Sequence, residues 1–136
     1  TLLLALPAFA TLAAFALPSA ARAQDIECAV AEVQSDLNDC AYLEWDRLDK
    51  ELSQVLTQAM EVLAAIDADL PEDERGAVKR MAAAQAAWLT FRDESCTAES
   101  YVMYGGSAQA MLLFGCKARL TEARRDALQA LVDMPG

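Results

Sequence analysis

The stretch AQAAWLTFRDESC, residues 84–96, combines apolar side chains with chemically active ones. On a helix, at about 100° per residue, Gln85, Arg92 and Cys96 share one stripe with Trp88. A stripe of this kind normally faces a core, so an amide and a guanidinium on it have two interpretations. They either line a cleft in which a carboxylate and a cation await a substrate, or they pair with polar groups on a neighbouring helix.

Few residues in this chain are suited to acid–base catalysis or to metal binding. There is no histidine, which excludes His-based zinc sites, Ser-His-Asp triads and Cys-His pairs. The cysteines match no C-x-x-C metal or redox motif. Asp93 and Glu94, or Lys79, could act as catalysts, but neighbouring side chains on a helix diverge by about 100° and cannot share one reacting atom. The sequence therefore predicts a protein that is not an enzyme and holds no cofactor or metal.

An uncharged, mostly apolar run extends from Leu2 to Ala21 and ends in an A-x-A cleavage pattern, Ala21-Arg22-Ala23. This predicts that residues 1–23 are the end of a secretory signal peptide whose start is clipped. A transmembrane anchor is the alternative, and it is disfavoured because prolines interrupt the run. The mature chain would be residues 24–136, long enough for a single domain, with no stable membrane anchor after cleavage.

Acidic residues dominate the composition. The formal net charge is -10, from 21 acidic and 11 basic residues, and removal of Arg22 with the leader makes it -11. Nucleic acid and anionic lipid are therefore poor partners, whereas a cationic protein is a suitable one. Strong acidity also keeps an exported protein soluble, so charge alone does not decide whether it serves partner binding or solubility.

Apolar periodicity predicts helices, and strand patterning is nearly absent. Short connections make consecutive helices antiparallel, so the expected fold is all-α: an antiparallel hairpin plus a third helix, in a small three-helix or four-helix bundle. The three predicted helices cover roughly residues 35–66, 72–100 and 108–131.

The two connections carry the signals that end and start helices. In DADLPEDE, residues 67–74, Pro71 suits a first helical position, and the acids Glu72, Asp73 and Glu74 suit the first turn of the second helix. In YVMYGGS, residues 101–107, the glycines permit a turn and Ser107 is a candidate N-cap for the third helix.

Folding the first two helices back on each other near residue 70 sets their register. Arg92 then lies opposite Asp46 or Asp49, and Gln85 lies opposite Ser53. This predicts an Arg92–Asp49 ion pair and a hydrogen bond from Gln85 to Ser53 or to the backbone, which fix the register at some cost in stability. The pairing interpretation is favoured over the cleft because these residues face a helix and not the mouth of a loop.

The same register places all the cysteines at the end of the bundle away from the acidic loop. In a short exported chain they indicate two disulfides formed in an oxidising compartment. Three connectivities are allowed. Cys28–Cys40 and Cys96–Cys116 are preferred, because they tie the N-terminal arm to the first helix and the second helix to the third.

The pattern Q-x-x-W-x-x-[FY]-R-D-x-x-C, followed by G-G-S and then by C-x-x-x-L-T-x-x-R-x-x-x-L, resembles the LprI-like lysozyme-inhibitor family of exported bacterial proteins. The resemblance covers nearly all of the mature chain. Ser53 and Leu56 depart from the family's D-x-x-L-N-x-x-Y stretch but keep a hydroxyl and an apolar contact. The motif residues, to which a structural role is assigned, are Asp49, Gln85, Trp88, Arg92, Asp93, Gly105, Gly106, Ser107, Thr121 and Arg124.

The resemblance implies a periplasmic or secreted protein that binds and inhibits a lysozyme, and the acidity suits a basic lysozyme. The alternative is a structural or stress-related domain of the cell envelope that inhibits no lysozyme. Two surfaces are candidates for partner binding: an acidic loop, which could instead only cap a helix, and an aromatic loop, which could instead cover the core. Their residues are Asp67, Asp69, Leu70, Glu72, Asp73 and Glu74 in the acidic loop, and Tyr101 and Tyr104 in the aromatic loop.

Overall fold

A computed structural model describes residues 26–134, and the predicted leader, residues 1–23, lies outside them. The predicted all-α fold is confirmed: within the described range the chain forms three long helices and no strand. No helix in residues 26–134 combines the length and the apolar character needed to cross a bilayer. The helices are α1 (Gln34–Asp69), α2 (Ala77–Ser100) and α3 (Gln109–Val132), with single 3-10 turns at Cys28–Val30, Glu72–Glu74 and Tyr101–Met103.

The three helices run up, down and up. α2 is antiparallel to α1, since the end of α1 meets the start of α2 at Asp67 and Ala77 while Asp49 meets Arg92. α3 is parallel to α1, since Asn38 meets Met111 and Glu51 meets Arg125. α1 packs most extensively along α3, and the contact between α1 and α2 is the smallest of the three. One reason is Ala59, which is fully buried and lets the backbone of α1 approach α3 closely. The predicted hairpin is present, but its first helix has the third as its main neighbour.

The start of α2 differs from the prediction. Glu72, Asp73 and Glu74 form a separate 3-10 turn, and α2 begins only at Ala77, so their placement in its first turn was wrong. The N-terminus of α2 is capped instead by the carboxylate of Asp67 at the end of α1. Its two oxygens accept hydrogen bonds from three backbone N–H groups, those of Gly76, Ala77 and Val78, at 3.0, 2.9 and 3.1 Å.

The start of α3 is also capped from another helix. Ser107 is not its N-cap, contrary to the prediction, because α3 begins at Gln109 and Ala108 occupies the cap position. Asn38 of α1 supplies the polar contacts: its Oδ1 accepts from the N–H of Met111 at 3.2 Å, and its Nδ2 donates to the carbonyl of Ser107 at 2.9 Å. This pair of bonds joins the start of α1 to the start of α3.

The apolar core is small. Leu52 and Ala59 of α1 and Leu128 of α3 are buried together, and six partly buried apolar residues surround them. The rest of the interior holds further apolar residues, such as Leu48 and the Cys96–Cys116 disulfide, together with polar side chains, of which Gln85, Arg92 and Thr121 are the largest. The bundle therefore depends on a polar layer as well as on apolar packing.

The two ends of the bundle consist of different segments. The disulfide pole comprises the 3-10 turn at 28–30, the first turns of α1, the last turns of α2 and the loop 101–107. The hairpin pole comprises the end of α1, the connection 70–76 and the first turn of α2.

Candidate functional site

Arg92 lies at the centre of a polar layer in which all three helices meet. The side chain is almost fully buried, at 5 % exposure. Its Nη1 donates to Asp49 Oδ1 of α1 at 2.7 Å and to Thr121 Oγ1 of α3 at 3.3 Å, while its Nε donates to Asp93 Oδ1 at 3.0 Å. Asp49 is the partner expected from the register of the hairpin. The guanidinium thus links three helices through charge-assisted hydrogen bonds.

Aromatic rings enclose this layer. The Arg92 guanidinium carbon lies 5.7 Å from the ring centroid of Trp45 and 5.2 Å from that of Trp88. The Lys117 ammonium lies 5.1 Å from the Trp45 centroid and 3.2 Å from Asp93 Oδ1. Burial raises the pKa of Asp93, but hydrogen bonds from Arg92 and Lys117 outweigh that effect and hold it below its ordinary range. The two cations therefore keep this carboxylate ionised beside the indoles.

Gln85 does not meet Ser53, and that prediction was wrong. The Oε1 of Gln85 accepts from Arg124 Nε of α3 at 3.0 Å, while Ser53 Oγ donates to the carbonyl of Asp49 in its own helix at 2.9 Å. The prediction failed because it considered only the register of α1 and α2, whereas α3 covers the side of α2 on which Gln85 lies. Burial lowers the pKa of Arg124, whose guanidinium also lies 5.9 Å from the Trp88 centroid.

These contacts support the pairing interpretation of the polar layer. Arg92 and Gln85 are shielded from solvent, and both bind side chains of neighbouring helices. The candidate catalysts do not converge: Asp93 faces Lys117, whereas Lys79 is exposed in the first turn of α2, about 20 Å away along the helix axis. Among residues 26–134, no cluster of His, Cys, Asp or Glu is arranged to hold a metal ion.

Both disulfides lie at the disulfide pole. They join Cys28 to Cys40, with Cα atoms 5.7 Å apart, and Cys96 to Cys116, with Cα atoms 5.4 Å apart. These are the pairs preferred from the sequence. The first bond ties the N-terminal 3-10 turn to α1. The second is buried and ties the last turns of α2 to α3, directly beneath the aromatic loop.

The aromatic loop, Tyr101 to Tyr104, faces solvent. Its side chains are exposed by 59, 80, 43 and 71 % in chain order. The rings of Tyr101 and Tyr104 stack on each other, with centroids 4.8 Å apart. The loop therefore displays its apolar side chains and does not cover the core with them.

The acidic loop at the hairpin pole divides into two parts. Asp67 is engaged as the cap of α2, and its bonds to the N–H groups of Gly76, Ala77 and Val78 lower its pKa. The remaining acids, Asp69, Glu72, Asp73 and Glu74, are exposed, and Leu70 between them is half-buried. A recess of about 700 Å³ adjoins them, and its charged lining comprises Asp67, Asp73, Glu74, Arg75, Lys79 and Arg80. Acidic and basic side chains thus alternate at this pole.

Two contributors were not singled out from the sequence: Lys117 completes the polar layer, and Asn38 caps α3. Glu94 was considered only as a catalyst, and it lines a groove on the outer face of α2. For Lys117 a signal existed, because it follows Cys116 on the same helix as Thr121. For Asn38 and Glu94 no local signal distinguishes their roles, which depend on contacts with distant segments or on exposure.

Comparison with known proteins places the chain in a family. The family model described as lysozyme inhibitor LprI matches residues 27–128. An uncharacterized protein of Rhizobium meliloti (strain 1021) is 32% identical over 132 residues, which is 95% of each chain. No solved structure matches the chain. The matched region contains α1, α2, both disulfides and most of α3, and the chain therefore belongs to the LprI lysozyme-inhibitor family.

Proposed function

We propose that this protein is a periplasmic or secreted binding protein that inhibits a basic lysozyme. The observation that carries the proposal is the match to the lysozyme-inhibitor family over residues 27–128. That match includes the polar layer and the disulfide pole. The family is named for inhibition and not for catalysis.

Charge supports a basic target. With 21 acidic residues against 11 basic ones, the chain has a formal net charge of -10. Opposite net charges accelerate the encounter of two proteins and align them, and the effect weakens as salt is added. An acidic inhibitor is therefore suited to a cationic enzyme, and its association should depend strongly on ionic strength.

The disulfides support function outside the cytoplasm. Two bonds that link separate parts of a small chain are typical of proteins that fold in an oxidising compartment. The apolar run at residues 2–21, followed by an A-x-A pattern, is consistent with export through a cleaved signal peptide. Both features agree with a protein that meets lysozyme in the periplasm or outside the cell.

A turnover assay tests the proposal. The purified, oxidised protein is titrated into c-type, g-type and i-type lysozymes acting on peptidoglycan, at low and at physiological salt. We expect inhibition of at least one basic lysozyme at micromolar protein, with weaker inhibition at higher salt. An unrelated protein of similar net charge serves as the control for nonspecific binding. Lack of inhibition of every lysozyme class would contradict the proposal.

A further inference from the structure

We propose that the basic partner binds at the disulfide pole and not at the acidic loop. The aromatic loop, Tyr101 to Tyr104, is the apolar anchor of this surface, and the groove beside Glu94 receives a Lys or Arg side chain of the partner. This inference rests on the proposed function, because it names the surface through which a basic lysozyme would be held.

The first support is the apolar area displayed at this pole. Four consecutive apolar or aromatic side chains, Tyr101 to Tyr104, are exposed by 43 to 80 %. Val30 and Val33, just before α1, are exposed by 71 and 62 %. Single exposed apolar residues are ordinary on a protein surface, but a contiguous run marks an interaction site. Tyrosine is also enriched among the residues that dominate binding energy at interfaces.

The second support is that the loop is held in one conformation. The N–H of Tyr104 donates to the carbonyl of Tyr101 at 3.1 Å, and the N–H of Gly106 donates to the carbonyl of Met103 at 2.9 Å. Gly105 has a φ of 72°, in the left-handed region that favours glycine, and its N–H donates to Gln109 Oε1 at 3.0 Å. A loop fixed in this way loses little conformational entropy when a partner binds.

The third support is the groove on the outer face of α2. It is shallow and open to solvent, and it is lined by Glu94, Thr97, Ala98 and Tyr101. Glu94 is exposed and takes part in none of the ion pairs among residues 26–134. Phe91, one turn earlier, is 57 % exposed. A carboxylate beside a phenol ring suits a partner's ammonium or guanidinium group, through an ion pair and a cation–π contact.

The fourth support is charge complementarity. Residues 26–43 contain no Lys or Arg, and their acids are Glu27, Glu32, Asp36 and Asp39. Farther along α1, Glu44 and Asp46 pair with Arg47 and Lys50. Asn38, between two of these acids, bonds to the carbonyl of Ser107 and so holds the start of α1 against the exit of the aromatic loop. At the hairpin pole, in contrast, Arg75, Lys79 and Arg80 adjoin the acids and reduce their attraction for a cationic partner.

The experiment measures the Kd for a basic c-type lysozyme by calorimetry, for the full protein and its variants. The double variant Tyr101→Ala/Tyr104→Ala should bind about tenfold or more weakly, as expected for the loss of interface anchors. Glu94→Gln should bind about threefold more weakly, with a reduced dependence on salt. Because these side chains are exposed, the melting temperature should stay near that of the wild type, which separates lost contacts from lost folding.

Matched variants away from the pole provide the controls. Ile66→Ala removes an apolar side chain that is 47 % exposed, and Glu61→Gln removes an exposed carboxylate; both lie toward the hairpin end of α1 and should bind as the wild type does. A greater loss of affinity in the acidic-loop variant Glu72→Gln/Asp73→Asn/Glu74→Gln than in the tyrosine variant would overturn the surface assignment alone. A wild type that binds no lysozyme would overturn the proposed function and the surface together.

Discussion

The two ends of the bundle are held together by different means and show different chemistry to solvent. At the disulfide pole, covalent bonds join α1 to the N-terminal turn and α2 to α3, and the loop above them displays two stacked tyrosines. At the hairpin pole, the carboxylate of Asp67 joins α1 to α2 through three hydrogen bonds, and the surface alternates acidic and basic side chains.

Total charge does not locate a binding surface on this bundle. Both poles are rich in acids, but only the hairpin pole places Arg75, Lys79 and Arg80 beside them. At the disulfide pole the acids of residues 26–43 have no basic residue within that segment, and the apolar side chains of Val30 and Val33 among them are exposed. For a cationic partner, a fixed apolar anchor beside carboxylates without basic neighbours is the stronger recognition surface.

The largest effect is expected from removal of the buried disulfide. Cys96→Ser/Cys116→Ser opens a bridge that spans 20 residues and should lower the free energy of unfolding by about 3 kcal/mol. Urea denaturation measures this loss. Because the bridge lies beneath the aromatic loop, lysozyme affinity should fall as well. Unchanged stability and affinity would show that the disulfide pole is not fixed by this bond.

Replacement of Arg92 tests the layer between the poles. Arg92→Met removes hydrogen bonds to three side chains and the contacts with two indoles, and should destabilise the fold by about 2 to 3 kcal/mol in urea denaturation. The loss should not be larger, because Asp49 and Asp93 are 41 and 47 % exposed and regain water. Binding by the folded variant should be unchanged.

A matched control for this variant is Lys50→Met. Lys50 is an exposed cation that pairs with Asp46 one turn away on the same helix. Exposed pairs of this kind contribute little to stability, so no measurable change is expected. If Arg92→Met kept full stability but lost lysozyme binding, the polar layer would be a functional site and the interpretation of it as structural would be wrong.

The conformation of the aromatic loop predicts a smaller effect. Gly105→Ala places a side chain at a φ of 72°, with no neighbour within 4 Å, so backbone strain alone should cost about 1 kcal/mol. Thermal denaturation measures the cost, and affinity for lysozyme should fall as the loop loses its fixed form. The control is Gly115→Ala, which also meets no neighbour within 4 Å but lies inside α3, where alanine favours the helix. Equal stability of the two variants would contradict a strained turn.

The smallest effect is expected at the hairpin pole and depends on pH. Since backbone hydrogen bonds lower the pKa of Asp67 in the folded state, its stabilising contribution is present above the unfolded value and is lost as pH falls below about 4. Asp67→Asn should reduce the melting temperature at neutral pH and make its decline in acid shallower. Exposed Asp69→Asn, which removes no such bonds, is the control. Equal acid profiles for the wild type and Asp67→Asn would contradict the capping role.

Contacts that depend on the periodicity of one helix or on the register of one hairpin were predicted correctly from the sequence. The stripe through Trp88 and Arg92, and the fold-back near residue 70, were sufficient to place Arg92 opposite Asp49. The partner of Gln85 was missed because it comes from α3, whose position over the hairpin is set by packing around Ala59 and Leu128. An antiparallel register contains no information on that third helix.

Helix ends were predicted less well for a similar reason. Local rules assign a cap to the residue beside the helix, and they selected Ser107 and the acids after Pro71. The structure caps α2 with Asp67 and α3 with Asn38, both from α1. Long-range caps of this kind have no local pattern. The exposure of the aromatic loop likewise follows from its place at the end of three packed helices and not from its composition.

Hydrogen–deuterium exchange of the complex with a basic c-type lysozyme tests the central claim most directly. The account predicts that binding slows amide exchange in residues 101–107 and in the last turns of α2, while residues 70–76 exchange as they do in the free protein. Slower exchange confined to residues 70–76, with residues 101–107 unchanged, would contradict it.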